Sequence, residues 1–207
     1  MGKYSRNLLI IRIIMSIKNK KKKIHLGAGH EIIPEYENHD IVPLPGIDIV
    51  HDLNIFPWPW ENEIASEVVA IDLIEHLDEF IPTMEEVYRI LEDGGILKAK
   101  VPYWNSVYRH ADPTHKRGFH EFTFHFFDPK SEWCKLRPYY SSARFAIIEE
   151  VFVLIPFAPY FKIPFLKPIK VRSRIVKRIV GFLGNFFSNI ILELEYTLRK
   201  LPLKEEL

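Results

Sequence analysis

The chain has 207 residues, 47% hydrophobic and 14% aromatic, so it has the length and apolar content for one packed domain and is not a disordered tail. Its single cysteine, Cys134, excludes an internal disulfide framework and suits a reducing compartment. The net charge of +1 hides an asymmetry: residues 1–23 carry eight Lys/Arg and residues 161–178 carry seven, with no acid in either, leaving 13 basic against 27 acidic residues elsewhere, a net of −14.

The chain opens with a basic N-terminal extension, residues 1–22. Within it "NLLIIRIIMSI" (Asn7–Ile17) is interrupted by Arg12 and falls short of the roughly 20 apolar residues of a spanning helix. It also lacks the small-residue cleavage site of a signal peptide. Two readings stand side by side, a helical extension and an interfacial anchor. An acidic body with basic segments predicts an anionic partner surface. Membrane phosphates fit better than nucleic acid, because bulky aliphatics alternate with the cations and no recognised nucleic-acid motif occurs. The expected location is cytoplasmic, with peripheral contact at the inner face of the membrane.

Residues 23–207 read as one domain. "KIHL" (Lys23–Leu26), "NHDIV" (Asn38–Val42) and "GIDIVHDL" (Gly46–Leu53) are short strands. "SEVVAID" (Ser66–Asp72) has the apolar run of a strand buried on both faces. A helix is predicted over Pro82–Glu92, with Ile81, Met84, Val87 and Leu91 at helical spacing and Gly94–Gly95 as its stop. "ILKAKVP" (Ile96–Pro102) and "ARFAIIEEVFVLI" (Ala143–Ile155) follow as strands. Residues 156–191 read as a helical insertion or lid. They run from a Pro- and Phe-rich stretch into an amphipathic helix with Ile175, Ile179, Phe182, Phe186 and Ile190 on one face. Arg174, Lys177, Arg178, Asn185 and Asn189 lie on the other. "LELEYTLRKL" (Leu192–Leu201) alternates as a last strand.

This order predicts an α/β fold with an open, largely parallel sheet. Ligands of such sheets sit outside the carboxyl ends of the strands, which selects Gly27–Gly29, Asp40, Asp52, Asp72 and the stretch after Pro102. "HLGAGH" (His25–His30) is a Gly-x-Gly turn after a strand. A dinucleotide fingerprint would need a third glycine opening a helix, but residue 32 is Ile and Pro34 follows. The short stretch from Gly29 to Asp40 leaves no room for a full crossover helix with its loops. Trp58 and Trp60, between prolines, read as packing residues.

Taken together, "IHLGAG", "NHDIV", "IDIVHDLN", "VVAIDLIEHL", "MEEVYRILEDGGILKAKVP" and "DPTHKRGFHEFTF" appear in an order that resembles the class I S-adenosylmethionine-dependent methyltransferases. The likeness is to the small type 11-like group with a shortened first crossover, and it covers about Lys23 to Phe127. It implies a Rossmann-like sheet and S-adenosyl-L-methionine as cofactor. Leu26, Gly27, Ala28 and Gly29 match the loop beside the methionine portion. Asp40 matches the acid on the ribose hydroxyls, Asp52 and Leu53 the pair near adenine, and Asp72 and Leu73 the segment beside the sulfonium. The sequence departs from the group at His25, where many relatives carry an acid, at Ala28, a frequent Cys, and at Asp93, where Pro is common.

"RHADPTHKRGFHEFTFHFFD" (Arg109–Asp128) is the remaining question. His115, His120 and His125 are five apart, which scatters them around a helix, and no metal is expected. One reading is a polar loop anchored by Phe119, Phe122 and Phe124. The favoured reading is an acceptor-side loop in which Asp112 orients His115 and His115 holds or deprotonates an acceptor hydroxyl. Glu75, His76, Tyr103 and His120 are expected substrate contacts, with helix capping and packing the competing reading of Glu75 and His76. The expected acceptor is a small molecule, sugar or lipid-linked glycan. The rival function is a non-catalytic, membrane-associated scaffold that keeps the fold.

Overall fold

The computed structural model describes residues 21–155 and 167–203. Most of the basic N-terminal extension and most of the Pro- and Phe-rich stretch lie outside the described residues. Eight strands form one sheet: β1 (Lys22–Leu26), β2 (Glu37–Asp40), β3 (Ile49–Val50), β4 (Ala65–Ile71), β5 (Leu91–Pro102), β6 (Phe145–Leu154), β7 (Ile169–Val171) and β8 (Glu193–Lys200). Their spatial order is β3-β2-β1-β4-β5-β8-β6-β7.

Neighbouring strands from β3 across to β5 pair in parallel. β8 is antiparallel to both β5 and β6, so β6 runs with the parallel set, and β7 pairs antiparallel on the outer side of β6. The central strands read as the sequence suggested. Val68, Val69 and Ala70 are buried in succession on β4, so both faces of the sheet are covered there. The connection from β1 to β2 contains turns and no helix, which is the shortened crossover.

Helix α1 (Phe80–Ile90) buries Met84, Val87 and Tyr88 against the sheet. It starts and stops two residues earlier than Pro82–Glu92. Leu91 already turns extended and pairs with Ala65, and the Gly94–Gly95 segment is accommodated by a bulge in β5. The third strand is shorter than predicted, and β7 was not anticipated. Two short helices, α2 (Val107–Ala111) and α3 (Glu132–Leu136), lie in the connection after β5. Phe119, Phe124 and Phe127 from this connection pack edge-on around Phe80, with ring centroids 5.3–5.6 Å apart, and tie it to α1.

Helix α4 (Arg174–Gly184) is shorter than the predicted Ile175–Ile190 pattern, and Phe186 and Ile190 fall beyond its end. Its buried residues are Gly181 and Gly184. Lys177 donates to Glu150 on β6 through Oε2 (2.6 Å) and the backbone carbonyl (2.9 Å). Trp58 and Trp60 are both buried in the core, as expected of packing residues.

Candidate active site

The carboxyl ends of β1, β2 and β4 come together. Gly27 and Gly29 both have positive φ (63° and 52°), a conformation that disfavours any residue with a Cβ. A Cβ on Gly27 would sit 2.7 Å from Leu73 Cδ1, so the glycine loop and the segment after β4 touch because residue 27 has no side chain. A Cβ on Gly29 would meet nothing within 4 Å. The Gly29 amide donates to Asp40 Oδ2 (2.9 Å), and Val42 N donates to Asp40 Oδ1 (3.0 Å). The loop therefore presents bare backbone to open space beside a carboxylate that keeps further lone pairs.

Ala28 is buried, and its amide donates to the His39 carbonyl (2.8 Å). Leu26 is also buried. His25, where an acid is frequent in the resembling group, is buried beside Asn38 Oδ1 (3.3 Å) and packs within the sheet. Asp52 folds back on Asn54, accepting from its amide (2.9 Å) and side chain (3.1 Å). Leu53 is buried, and its carbonyl accepts from Trp58 Nε1 (3.0 Å).

Asp72 has φ 50° and a half-exposed side chain. Lys100 Nζ lies 2.7 Å from Asp72 and 3.2 Å from Glu193. One ammonium between two carboxylates leaves a net negative charge at the ends of β4 and β5, which favours a cation nearby. Lys100 and Glu193 were not singled out in the sequence. The signal was there: Lys98 and Lys100 sit two apart in a strand and so share one face of the sheet, where two neighbouring ammonium groups call for acidic partners.

After β4 the chain makes a 3-10 turn, Ile74–His76, that buries Glu75 to 1% exposure. The "DPTHKR" loop clamps onto it. Lys116 N donates to the Glu75 carbonyl (2.9 Å), Arg117 donates to the Leu77 and Asp78 carbonyls, and Thr114 Oγ1 lies 2.9 Å from His76 Nδ1. Arg109 holds the loop from behind through the carbonyls of His115 (2.8 Å) and Lys116 (3.0 Å). His115 Nε2 is thereby set 3.9 Å from Glu75 Oε1, and the His76 and His115 rings pack edge to face at 4.6 Å.

Glu75, His76 and His115 bring three ligand-type atoms within 4.8 Å of one another. Glu75 Oε2 and His115 Nδ1 are buried without a hydrogen-bond partner. Burial pushes the Glu75 carboxyl up to about 8, and the charge on Asp72 adds to the effect. Burial lowers His76, and the adjacent His115 acts in the same direction. The three groups can carry protons or hold a divalent cation with N,N,O ligation.

Two expectations need correcting. Asp112 does not orient His115. Its Oδ1 accepts from Thr114 N (2.8 Å) and Thr114 Oγ1 (2.6 Å), a turn that fixes the loop and reaches His76 through Thr114. Tyr103 does not open onto a substrate space. It is fully buried at the end of β5, and its hydroxyl donates to Glu121 Oε2 (2.9 Å). His120 is partly exposed, 3.2 Å from Glu121, and stands apart from the Glu75 cluster. It lines a cleft of about 630 Å³ under α4, together with His125, Arg172, Lys177 and Arg178.

No family model matches the chain, and no curated protein matches it in sequence. Solved structures do match in shape. A SAM-dependent methyltransferase from Archaeoglobus fulgidus is 18% identical, with 94% of each chain covered and a TM-score of 0.54. A SAM-dependent methyltransferase from Thermotoga maritima, named as a possible histamine N-methyltransferase, is 13% identical, with 97% of this chain and 96% of that chain covered and a TM-score of 0.56. The fold is that of the class I methyltransferases.

Proposed function

We propose that the chain is an S-adenosylmethionine-dependent methyltransferase whose cofactor lies along the carboxyl ends of β1, β2 and β4. One observation carries the reading: open backbone at Gly29, the Asp40 carboxylate and the Leu73 turn adjoin one another, Glu75 follows on that turn, and His115 is packed against it from the loop after β5. In that arrangement Asp40 accepts from the vicinal ribose hydroxyls and Asp72 lies toward the sulfonium.

Bound S-adenosylmethionine would supply an electrophilic methyl group, its carbon–sulfur electron pair remaining on sulfur, to an acceptor atom that these residues would hold in line. Most of the rate comes from holding two reactants in line, which supplies roughly 7–11 kcal/mol. The acceptor's proton passes to His115, and above the Glu75 value of about 8 the neighbouring carboxylate stabilises the imidazolium that forms. Buried polar atoms left without partners cost about 1–3 kcal/mol each, so the orphaned atoms of this pair fit groups kept for a ligand or a proton. A hydroxyl or amine on a sugar or lipid-linked molecule is the acceptor class we favour.

Thermal unfolding with S-adenosylmethionine, S-adenosylhomocysteine and NADH added separately tests the cofactor. At a hundredfold excess over Kd a true ligand stabilises by about 2.7 kcal/mol. A shift with the two adenosyl compounds and none with NADH is expected, and a shift with NADH alone would overturn the reading. A divalent cation on Glu75, His76 and His115 is the second reading, favoured by the orphaned Oε2 of Glu75.

A further inference from the structure

The outer face of α4 is the largest unexplained feature. An ordinary surface helix turns its apolar stripe inward. This one does the reverse. Gly181 and Gly184 face the domain, with Gly181 so close that a Cβ would stand 3.0 Å from Glu121 Oε1. Lys177 is drawn inward by Glu150, and Asn105 Nδ2 fastens the far end to the Gly184 carbonyl (2.6 Å). The apolar row is left outside: Ile175 is 72% exposed, Ile179 57%, Phe182 62% and Phe186 69%. Contiguous exposed apolar side chains on this scale mark a contact surface.

We propose that α4 docks the protein on an anionic lipid surface, with Ile175, Ile179, Phe182 and Phe186 entering the headgroup region. Charge identifies the partner. From residue 151 to residue 192 the sequence has seven Lys/Arg and no Asp or Glu. Arg174 and Arg178 are exposed at the rim of the cleft under α4, between it and the apolar row, and form no ion pair among the described residues. Cations flanking a row of Phe and Ile on a short helix are the pattern of an interfacial helix lying in the plane of a membrane. Residues 1–23, with eight Lys/Arg and no acid, favour the same partner. No helix among the described residues is long and apolar enough to cross a membrane, so contact through α4 is peripheral. The proposal is independent of methyl transfer, and its test reads no activity.

The full chain is mixed with vesicles of phosphatidylcholine alone and of phosphatidylcholine with phosphatidylserine, then sedimented. The wild type is expected to pellet with the anionic vesicles at low salt and to be released at 1 M salt, where the screening length falls to about 3 Å. The double substitution Ile179→Asp/Phe182→Asp should weaken pelleting by roughly tenfold or more, and Arg174→Glu/Arg178→Glu should do the same. All four positions are exposed, so unfolding temperatures near the wild type verify that the variants fold. Three results would overturn the proposal: no pelleting with anionic vesicles, pelleting unchanged in the α4 variants, or a wild-type dimer that the same variants convert to monomer without any lipid binding. The second would assign binding to another segment, and the third would make the face a self-contact.

Discussion

His115 Nε2 stands 3.9 Å from Glu75 Oε1, and the Glu75 side chain is 1% exposed. The gap is too long for a hydrogen bond and short enough for strong attraction once both groups are charged. Arg109, Thr114 and Lys116 fix the loop that sets it. In the proposed mechanism His115 receives the acceptor's proton beside this carboxyl.

His115→Ala should keep affinity for S-adenosylmethionine and lower turnover by roughly 10²–10⁴-fold, the usual contribution of a general base. Calorimetry and single-turnover methyl transfer, on an acceptor found by screening sugars and lipid-linked glycans, separate the two quantities. Turnover equal to wild type would reduce the loop to a structural element.

Glu75 gives a stability prediction. Its unfolded value is 4.5 and burial raises the folded value to about 8. Between the two, the folded state holds one more proton than the unfolded state. Stability is thus fully present below the unfolded value and falls as pH rises through the folded one, by about 1.4 kcal/mol per pH unit at most. Glu75→Gln removes this slope. In urea unfolding across that range, the variant should gain on the wild type as pH rises and gain nothing more above the folded value. A constant difference would mean that the carboxyl is ionised throughout.

The two loop glycines should separate stability from binding. Gly27→Ala forces a Cβ against Leu73 at positive φ and should destabilise by about 1–3 kcal/mol. Gly29→Ala carries the φ penalty alone, of about 1–2 kcal/mol, yet it fills the open space beside Asp40 and should weaken the cofactor more than Gly27→Ala does. Equal cofactor affinity in both variants would move the cofactor away from Gly29.

Asp40→Ala should weaken S-adenosylmethionine by about tenfold or more, since hydrogen bonds to a charged group are worth roughly 1.5–3 kcal/mol. Calorimetry on both proteins checks this, and unchanged affinity removes Asp40 from the site.

With His115 acting as a base, turnover after treatment with a chelator should equal that before it. Loss that is restored by zinc or ferrous iron, together with one equivalent of metal bound by wild type and none by Glu75→Gln, would establish the second reading.

Much of this architecture was legible because it rests on local patterns. The apolar runs located the central strands, the positions from Gly29 to Asp40 left no room for a crossover helix, and the strand-end rule brought Gly27, Asp40 and Asp72 to one edge. "EHL" and "DPTHKR" were each suspected, and the structure packs one on the other through Lys116 and Glu75. What stayed hidden depends on which of several available partners a side chain takes. Asp112 chose its neighbour Thr114 over His115 because an Asx-type turn needs no long-range alignment. Tyr103 looked available at a strand end, but Phe119 pairs beside it and Glu121 takes its hydroxyl. Periodicity found the apolar face of α4 and could not tell that the other face would be the buried one. That choice belongs to Glu150, on another element, and to two glycines that allow close approach.

The position of β8 has a consequence for synthesis. It is the last of the eight strands in chain order, yet it fills the gap between β5 and β6 and pairs along its length with both. Until it emerges from the ribosome, β6 and β7 have no place in the sheet, and the edges of β5 and β6 stay unsatisfied. A nascent chain halted before Glu193 would therefore hold a half-built sheet with two sticky borders, the species that chaperones shield. The final strand works as a keystone, closing one edge each of β5 and β6 in a single late step.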